Sequence, residues 1–181
     1  MSHVSLIDAT HASADRAVVL SQIHQAFGTV PNMFRAVANS PAALRSMWGS
    51  FAALGGGTLP AKLGEQIAVA VADRNQCEYC LAAHTVLGRK AGATAEEMAA
   101  AQAGHASDPK THAALRFAIK LVEQRGQVST DDVRGLREAG FDDEAIVEIV
   151  AHVALNLFTN YVNVALNVPV DFPRVTLRRA A

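Results

Sequence analysis

The chain has 181 residues, half of them hydrophobic, which is enough to bury a full core without disulfides or a metal to hold it. With 16 Lys+Arg against 17 Asp+Glu, a net charge of −1 and no basic tract beyond the terminal Arg178–Arg179 pair, there is no electrostatic footprint for duplex DNA, and nucleic acid is not expected as a partner. No window approaches the roughly 18 consecutive apolar residues of a spanning helix, and the start of the chain lacks the basic and apolar regions of a secretory signal, so no membrane contact and a cytoplasmic location are expected.

Alanine occurs 35 times while aromatics make up 6%, a composition that predicts an all-α protein rather than a β-sandwich or barrel. The first helix is expected at roughly 13–27, with Ser13 as N-cap and Val18, Val19, Ile23 and Phe27 on its apolar face. Gly28-Thr29-Val30-Pro31 ends it. A short helix of about 31–38 follows, and Ser40-Pro41 opens another to about Leu54. Gly55-Gly56-Gly57 is the clearest break in the chain. Beyond it, a helix of roughly 60–74 carries Ile67-Ala68-Val69-Ala70-Val71-Ala72, apolar nearly all round as befits a buried helix. Asp73-Arg74-Asn75-Gln76 breaks that run. The two cysteines, Cys77 and Cys80, open a helix of about 77–91 that Gly92 closes. Thr94 and Glu97 fit a capping box for a helix to about Ala103, and Asp108-Pro109 starts one that stops at Gly126. Two more are expected, about 130–139 and 142–166, the last long and mostly buried through Ile146, Val147, Ile149, Val150, Val153, Leu155, Leu157, Val162, Val164 and Leu166, before Pro169 and Pro173 end regular structure. A single domain is expected, with an N-terminal helical layer of about 1–55 and a core unit of about 58–168.

Chemistry concentrates at one place. Cys77, Cys80 and His84 fall within roughly a 60° arc of one helix face at about 100° per residue. Two thiols one turn apart can close a disulfide, and the unpaired N–H groups of a first helical turn favour thiolate. A thiol with an imidazole one turn on has the logic of an activated nucleophile. Glu65, on the preceding helix, comes beside that first turn if residues 73–76 fold the two helices into an antiparallel hairpin. On an Ala/Val/Ile helix a lone Glu either faces solvent or is kept inside to handle protons.

The stretch from Pro60 to Gly92, with Glu65 twelve positions before Cys77-x-x-Cys80-x-x-x-His84, resembles the carboxymuconolactone decarboxylase superfamily and within it the alkylhydroperoxidase D (AhpD)-like, peroxidase-related branch. Val30 to Arg35, Ser40-Pro41 and Ala139 to Glu144 extend the likeness over most of the chain. The resemblance implies an AhpD-like helical bundle with its active-site hairpin at about 60–92, assembly into homo-oligomers such as trimers or hexamers, and thiol-dependent reduction of a small hydroperoxide. It also implies roles: Cys80 attacks the peroxide, Cys77 forms the disulfide with it, and His84 and Glu65 relay the proton. An external dithiol of lipoyl or thioredoxin type would restore the thiols. Where characterised AhpD proteins have a second histidine between the cysteines, this chain has Tyr79, a possible relay through its hydroxyl, although a phenol of pKa about 10 cannot shuttle a proton at neutral pH as an imidazole can. Helix-terminus reasoning favours Cys77 as the attacking thiol, and proximity to His84 favours Cys80. Alternatives to the peroxidase are the acid–base lactone chemistry of the superfamily's founding activity and a non-catalytic, redox-sensing helical oligomer.

No cofactor or metal is expected. Structural zinc takes its ligand pairs from separated turns, and a c-type haem is excluded because Leu81 follows Cys80. Of the remaining histidines, His152 stands out because it falls on the long last helix. Asn156, Asn160 and Asn163 recur there as a polar stripe that either lines a pocket or pairs across a subunit interface. The apolar character of that helix favours the interface.

Overall fold

The computed structural model describes residues 1–178; Arg179 of the terminal basic pair lies outside the described residues. Helix start signals set the architecture. After a single 3-10 turn (Ala9–His11), the helices are α1 (Ala14–Phe27), α2 (Asn32–Val37), α3 (Pro41–Gly55), α4 (Ala61–Arg74), α5 (Glu78–Lys90), α6 (Ala95–Gln102), α7 (Pro109–Glu123), α8 (Thr130–Glu138) and α9 (Asp143–Ala165), with no strand among the described residues. Ser40, Asp108 and Asp142 each accept a backbone N–H from the third residue on, and Thr94 with Glu97 and Ser129 with Asp132 form complete capping boxes. Ser13 is the N-cap of α1 by position only, because its hydroxyl donates to the Asp15 carboxylate instead of capping a backbone N–H.

Helix α4 is the axle of the bundle and packs against α5, α6, α7 and α9. Every residue from Ile67 to Ala72 is buried, so the all-round apolar run is matched by neighbours on all sides. The residues of α1–α3 form a layer on top, in which Phe27, Phe34, Phe51 and Trp48 stack edge to face or tilted at 5.8–6.4 Å. The triple glycine is pinned rather than loose. Glu148 of α9 accepts the N–H groups of Thr58 and Leu59, and a Cβ at Gly57 would lie 2.6 Å from that carboxylate.

Two expected apolar faces are corrected. Of the face expected on α1, Ile23 is buried and Val19 and Phe27 pack on the core, but Val18 is 64% exposed and Leu20 takes its place inside. Helix α9 is not mostly buried: Val147, Val150, Phe158, Tyr161 and Val164 face outward while Ile146, Ile149, Val153, Asn156, Asn160 and Asn163 face in. A helix apolar all round carries no sequence signal for which face turns inward, and here packing on α4 chose the stripe that contains the amides.

Beyond α9 the chain runs back across the bundle without regular structure. Asp73, only 2% exposed at the end of α4, accepts from Arg178 N at 2.9 Å and Gln102 Nε2 at 2.8 Å, and Asp171 accepts from Asn32 N at 2.8 Å. These bonds seat Phe172 with its ring edge-to-face on Tyr79, centroids 5.7 Å apart.

Candidate active site

The α4–α5 hairpin brings the thiols to the carboxylate. Gln76 takes a left-handed backbone conformation (φ +53°), its side chain donating to Asp73 O, and Cys77 N returns to Ala72 O at 2.9 Å. This tight reversal leaves Cys77 outside the helix as its N-cap, where its Sγ accepts from Cys80 N at 3.3 Å. Both cysteines are free and buried.

Glu65 and His84, one on each arm of the hairpin, meet: Oε2 of Glu65 lies 2.7 Å from Nδ1 of His84. Burial pushes the His84 pKa down, but the neighbouring charge of Glu65 and the hydrogen bond to it raise it above its ordinary value. The protonated form of His84 is thereby favoured beside Cys80. Burial alone would push the Cys80 thiol up; the hydrogen bond from Cys77, the charge of His84 and the amides of Asn163 and Asn160 outweigh it and lower the thiol to about 7. Cys77 is shifted the opposite way by its hydrogen bond to Cys80 and by burial, and stays a thiol. Of the two thiols, Cys80 is the one whose surroundings favour the thiolate.

The hydroxyl of Tyr79 is turned elsewhere. It accepts from Met33 N at 3.1 Å and faces Asp171, and burial drives its pKa up. It anchors α2 and the C-terminal segment, and the geometry gives it no place between Glu65 and His84. Its ring nevertheless shares with Cys80 and His84 the wall of a cavity of about 40 Å3, closed by Phe27, Phe34, Phe51 and Phe172. A larger groove of about 760 Å3, between Lys62, Glu97, Lys110 and Phe141, contains none of the site residues. Among the described residues no three His, Cys, Asp or Glu side chains are grouped to hold a metal ion.

The expected subunit-interface role of the asparagine stripe is corrected. Asn156, Asn160 and Asn163 are all buried inside the chain, and Asn163 Nδ2 donates to Cys80 Sγ at 3.1 Å. Thr159 Oγ1 is 4.0 Å from the same sulfur, and Asn160 Oδ1 accepts from Asn75 Nδ2 at 2.9 Å. The signal was present in the sequence as amides at i, i+4 and i+7 on an apolar helix, yet only the packing of α9 on the hairpin shows that they face the thiol. His152, one turn before Asn156, lies over Gly64, where a Cβ would be 3.2 Å from its Cε1, and its Nε2 is buried without a partner.

Comparison with known proteins agrees with this fold. A sequence model of the carboxymuconolactone decarboxylase family matches residues 41–124, from α3 through the hairpin to the end of α7. Residues 41–124 thus carry the sequence pattern of that family, and the helical fold is AhpD-like. An uncharacterised peroxidase-related protein from Ralstonia eutropha JMP134, described as an alkylhydroperoxidase AhpD core, superposes with a TM-score of 0.84 at 26% identity, covering 94% of this chain and 92% of that one. A peroxidase-related protein from Silicibacter sp. TM1040 gives 0.81 at 24% identity over 93% and 91%. The debrominase Bmp8, as a cysteine-to-alanine variant in complex with 2,3,4-tribromopyrrole, shares the fold at 0.80 and 21% identity over 94% of both chains. No curated protein sequence matches the chain.

Proposed function

We propose that this AhpD-like protein is a two-cysteine hydroperoxide reductase. The observation that supports it most is the acidified Cys80 thiol, which shares one small apolar cavity with a His84 held by Glu65. Cys80 thiolate attacks the terminal oxygen of ROOH; the O–O bond breaks, and RO− takes the proton of the His84 imidazolium to leave as ROH. The Cys77 thiol then attacks the Cys80 sulfenic acid, water leaves and a disulfide forms. An external dithiol of lipoyl or thioredoxin type exchanges with that disulfide and returns both thiols. The test is hydroperoxide consumption with each class of dithiol, with thiol titration before and after one equivalent of oxidant. Turnover that survives Cys80→Ser would overturn the assignment.

The likeness to a debrominase gives a second reading, in which ArBr and the two thiols yield ArH, the disulfide and HBr. The aromatic wall of the cavity favours an apolar substrate, and its small volume supports a hydroperoxide ahead of a ring. One water needs about 10–15 Å3 of such space, so about 40 Å3 suits a hydroperoxide end group better than a bromopyrrole. Bromide release from a bromopyrrole under the same conditions would reverse that order. We also propose that the outward face of α9 (Val147, Val150, Phe158, Tyr161, Val164) is covered in a homo-oligomer, which light scattering of the reduced protein tests.

A further inference from the structure

We propose that the side-chain amides of Asn160 and Asn163 bind the oxygen atom that Cys80 takes from the hydroperoxide. The proposal deepens the peroxidase reading and rests on it. Asn160 is wholly buried and Asn163 nearly so. Nδ2 of Asn160, a donor close enough to Cys80 to help lower its thiol, completes no hydrogen bond, and Oδ1 of Asn163, an acceptor, has no partner. Buried amide groups are normally paired, so two such atoms one turn apart on α9 need a reason.

Neither amide is free to turn and satisfy itself. The bond from Asn75 Nδ2 holds Asn160 by its Oδ1, at 2.9 Å, and the bond to Cys80 Sγ holds Asn163 by its Nδ2, at 3.1 Å. Each fixed bond directs the other end of the amide to one place. Both residues lie on the stripe of α9 that faces the sulfur, and Thr159 Oγ1 completes the wall at 4.0 Å. One donor and one acceptor beside a sulfur match the one group that the proposed chemistry creates there: the oxygen of an S–OH accepts and its hydrogen donates. The step needs no further reactant. Cys80–S− and ROOH give Cys80–SOH and RO−, an S–O bond forming as the O–O bond breaks. Charge leaves the sulfur for oxygen during that transfer, and a preset donor acts where the charge arrives.

The test uses the full chain in a Cys77→Ser background, where the sulfenic acid cannot go on to a disulfide. Cys80 oxidation by hydrogen peroxide and by cumene hydroperoxide, trapped with dimedone, is compared with alkylation by iodoacetamide, which brings no oxygen to the amides. Every rate is taken above the measured thiolate midpoint of each variant. Asn160→Asp keeps the acceptor for Asn75 and loses the donor; Asn160→Ala loses both, and the Asp variant decides if the Ala variant does not fold. Oxidation is expected to fall about 10- to 100-fold while alkylation stays within about threefold. Equal losses in both reactions, or no loss of oxidation, overturn the proposal. If Asn160 is intact and Cys80 alkylates but neither hydroperoxide oxidises it, the peroxidase reading itself fails and the proposal falls with it.

Discussion

Replacing Glu65 with Gln keeps the shape of the side chain and removes the charge 2.7 Å from His84 Nδ1. The charge of Glu65 is what lifts a buried imidazole that burial would otherwise push down, so its removal shifts His84 towards the neutral form. Cys80 then loses the cation beside it while keeping the hydrogen bond from Cys77 and the two amides. With the thiol at about 7, half of it is thiolate at pH 7. A full return to the ordinary value of about 8.5 would leave about 3% ionised, a loss of about 15-fold. Because the remaining donors hold part of the shift, Glu65→Gln is expected to lower the reactive fraction at pH 7 by about 3- to 15-fold. The sign is fixed by the direction of the shift: a depressed thiol pKa makes reactivity rise as pH climbs through about 7 in the wild type and at higher pH in the variant. The two curves should converge above about pH 9. Ultraviolet thiolate absorbance against pH in the Cys77→Ser background reads the midpoint directly. An unmoved midpoint, or a loss equal at every pH, would refute the link from Glu65 through His84 to the sulfur.

Other parts of the structure give equally direct expectations. A Cβ at Gly57 would lie 2.6 Å from Glu148 Oε1, so Gly57→Ala must displace the carboxylate that holds Thr58 N and Leu59 N. The cost is about 1–3 kcal/mol, a fall of about 3–10 °C in thermal midpoint for a chain of this size, and in a Glu148→Ala background the same change should cost little. Ile67→Ala, at the centre of α4 where the side chain is fully buried, is expected to cost about 2–5 kcal/mol in urea unfolding with an unchanged m-value; a loss below about 1 kcal/mol would mean that α4 is not the axle. Phe172→Ala opens the cavity wall and removes the edge contact on Tyr79. Steady-state kinetics should show cumene hydroperoxide gaining several-fold in kcat/KM relative to hydrogen peroxide. An unchanged ratio would show that Phe172 does not limit access.

The helices were legible because their signals are local. A cap such as Ser40 with Ala43 N, or Thr94 with Glu97, closes within three residues, so the pattern in the string is the whole interaction. The meeting of Glu65 with His84 was legible for nearly the same reason. The two lie on consecutive helices joined by a three-residue turn, 75–77, and once that turn reverses the chain the two can meet. Sequence by itself therefore determined an all-α chain and a resemblance to a superfamily whose motif it carries, and left open whether Glu65 turns inward. It left open which cysteine is acidified, because both lie at the start of one helix and share the same local field. That choice came from α9, whose Asn163 lies 83 residues from Cys80 and donates to its sulfur, while Cys77 is spent as the N-cap. It also misassigned the amide stripe to an interface, the burial of Val147 and Val164 to the core, and a relay role to Tyr79. All three depend on how a helix is rotated about its axis or where a distant segment comes to rest. In a helix apolar all round, periodicity cannot fix that rotation; only packing against α4 and the seating of Phe172 on Tyr79 decide it.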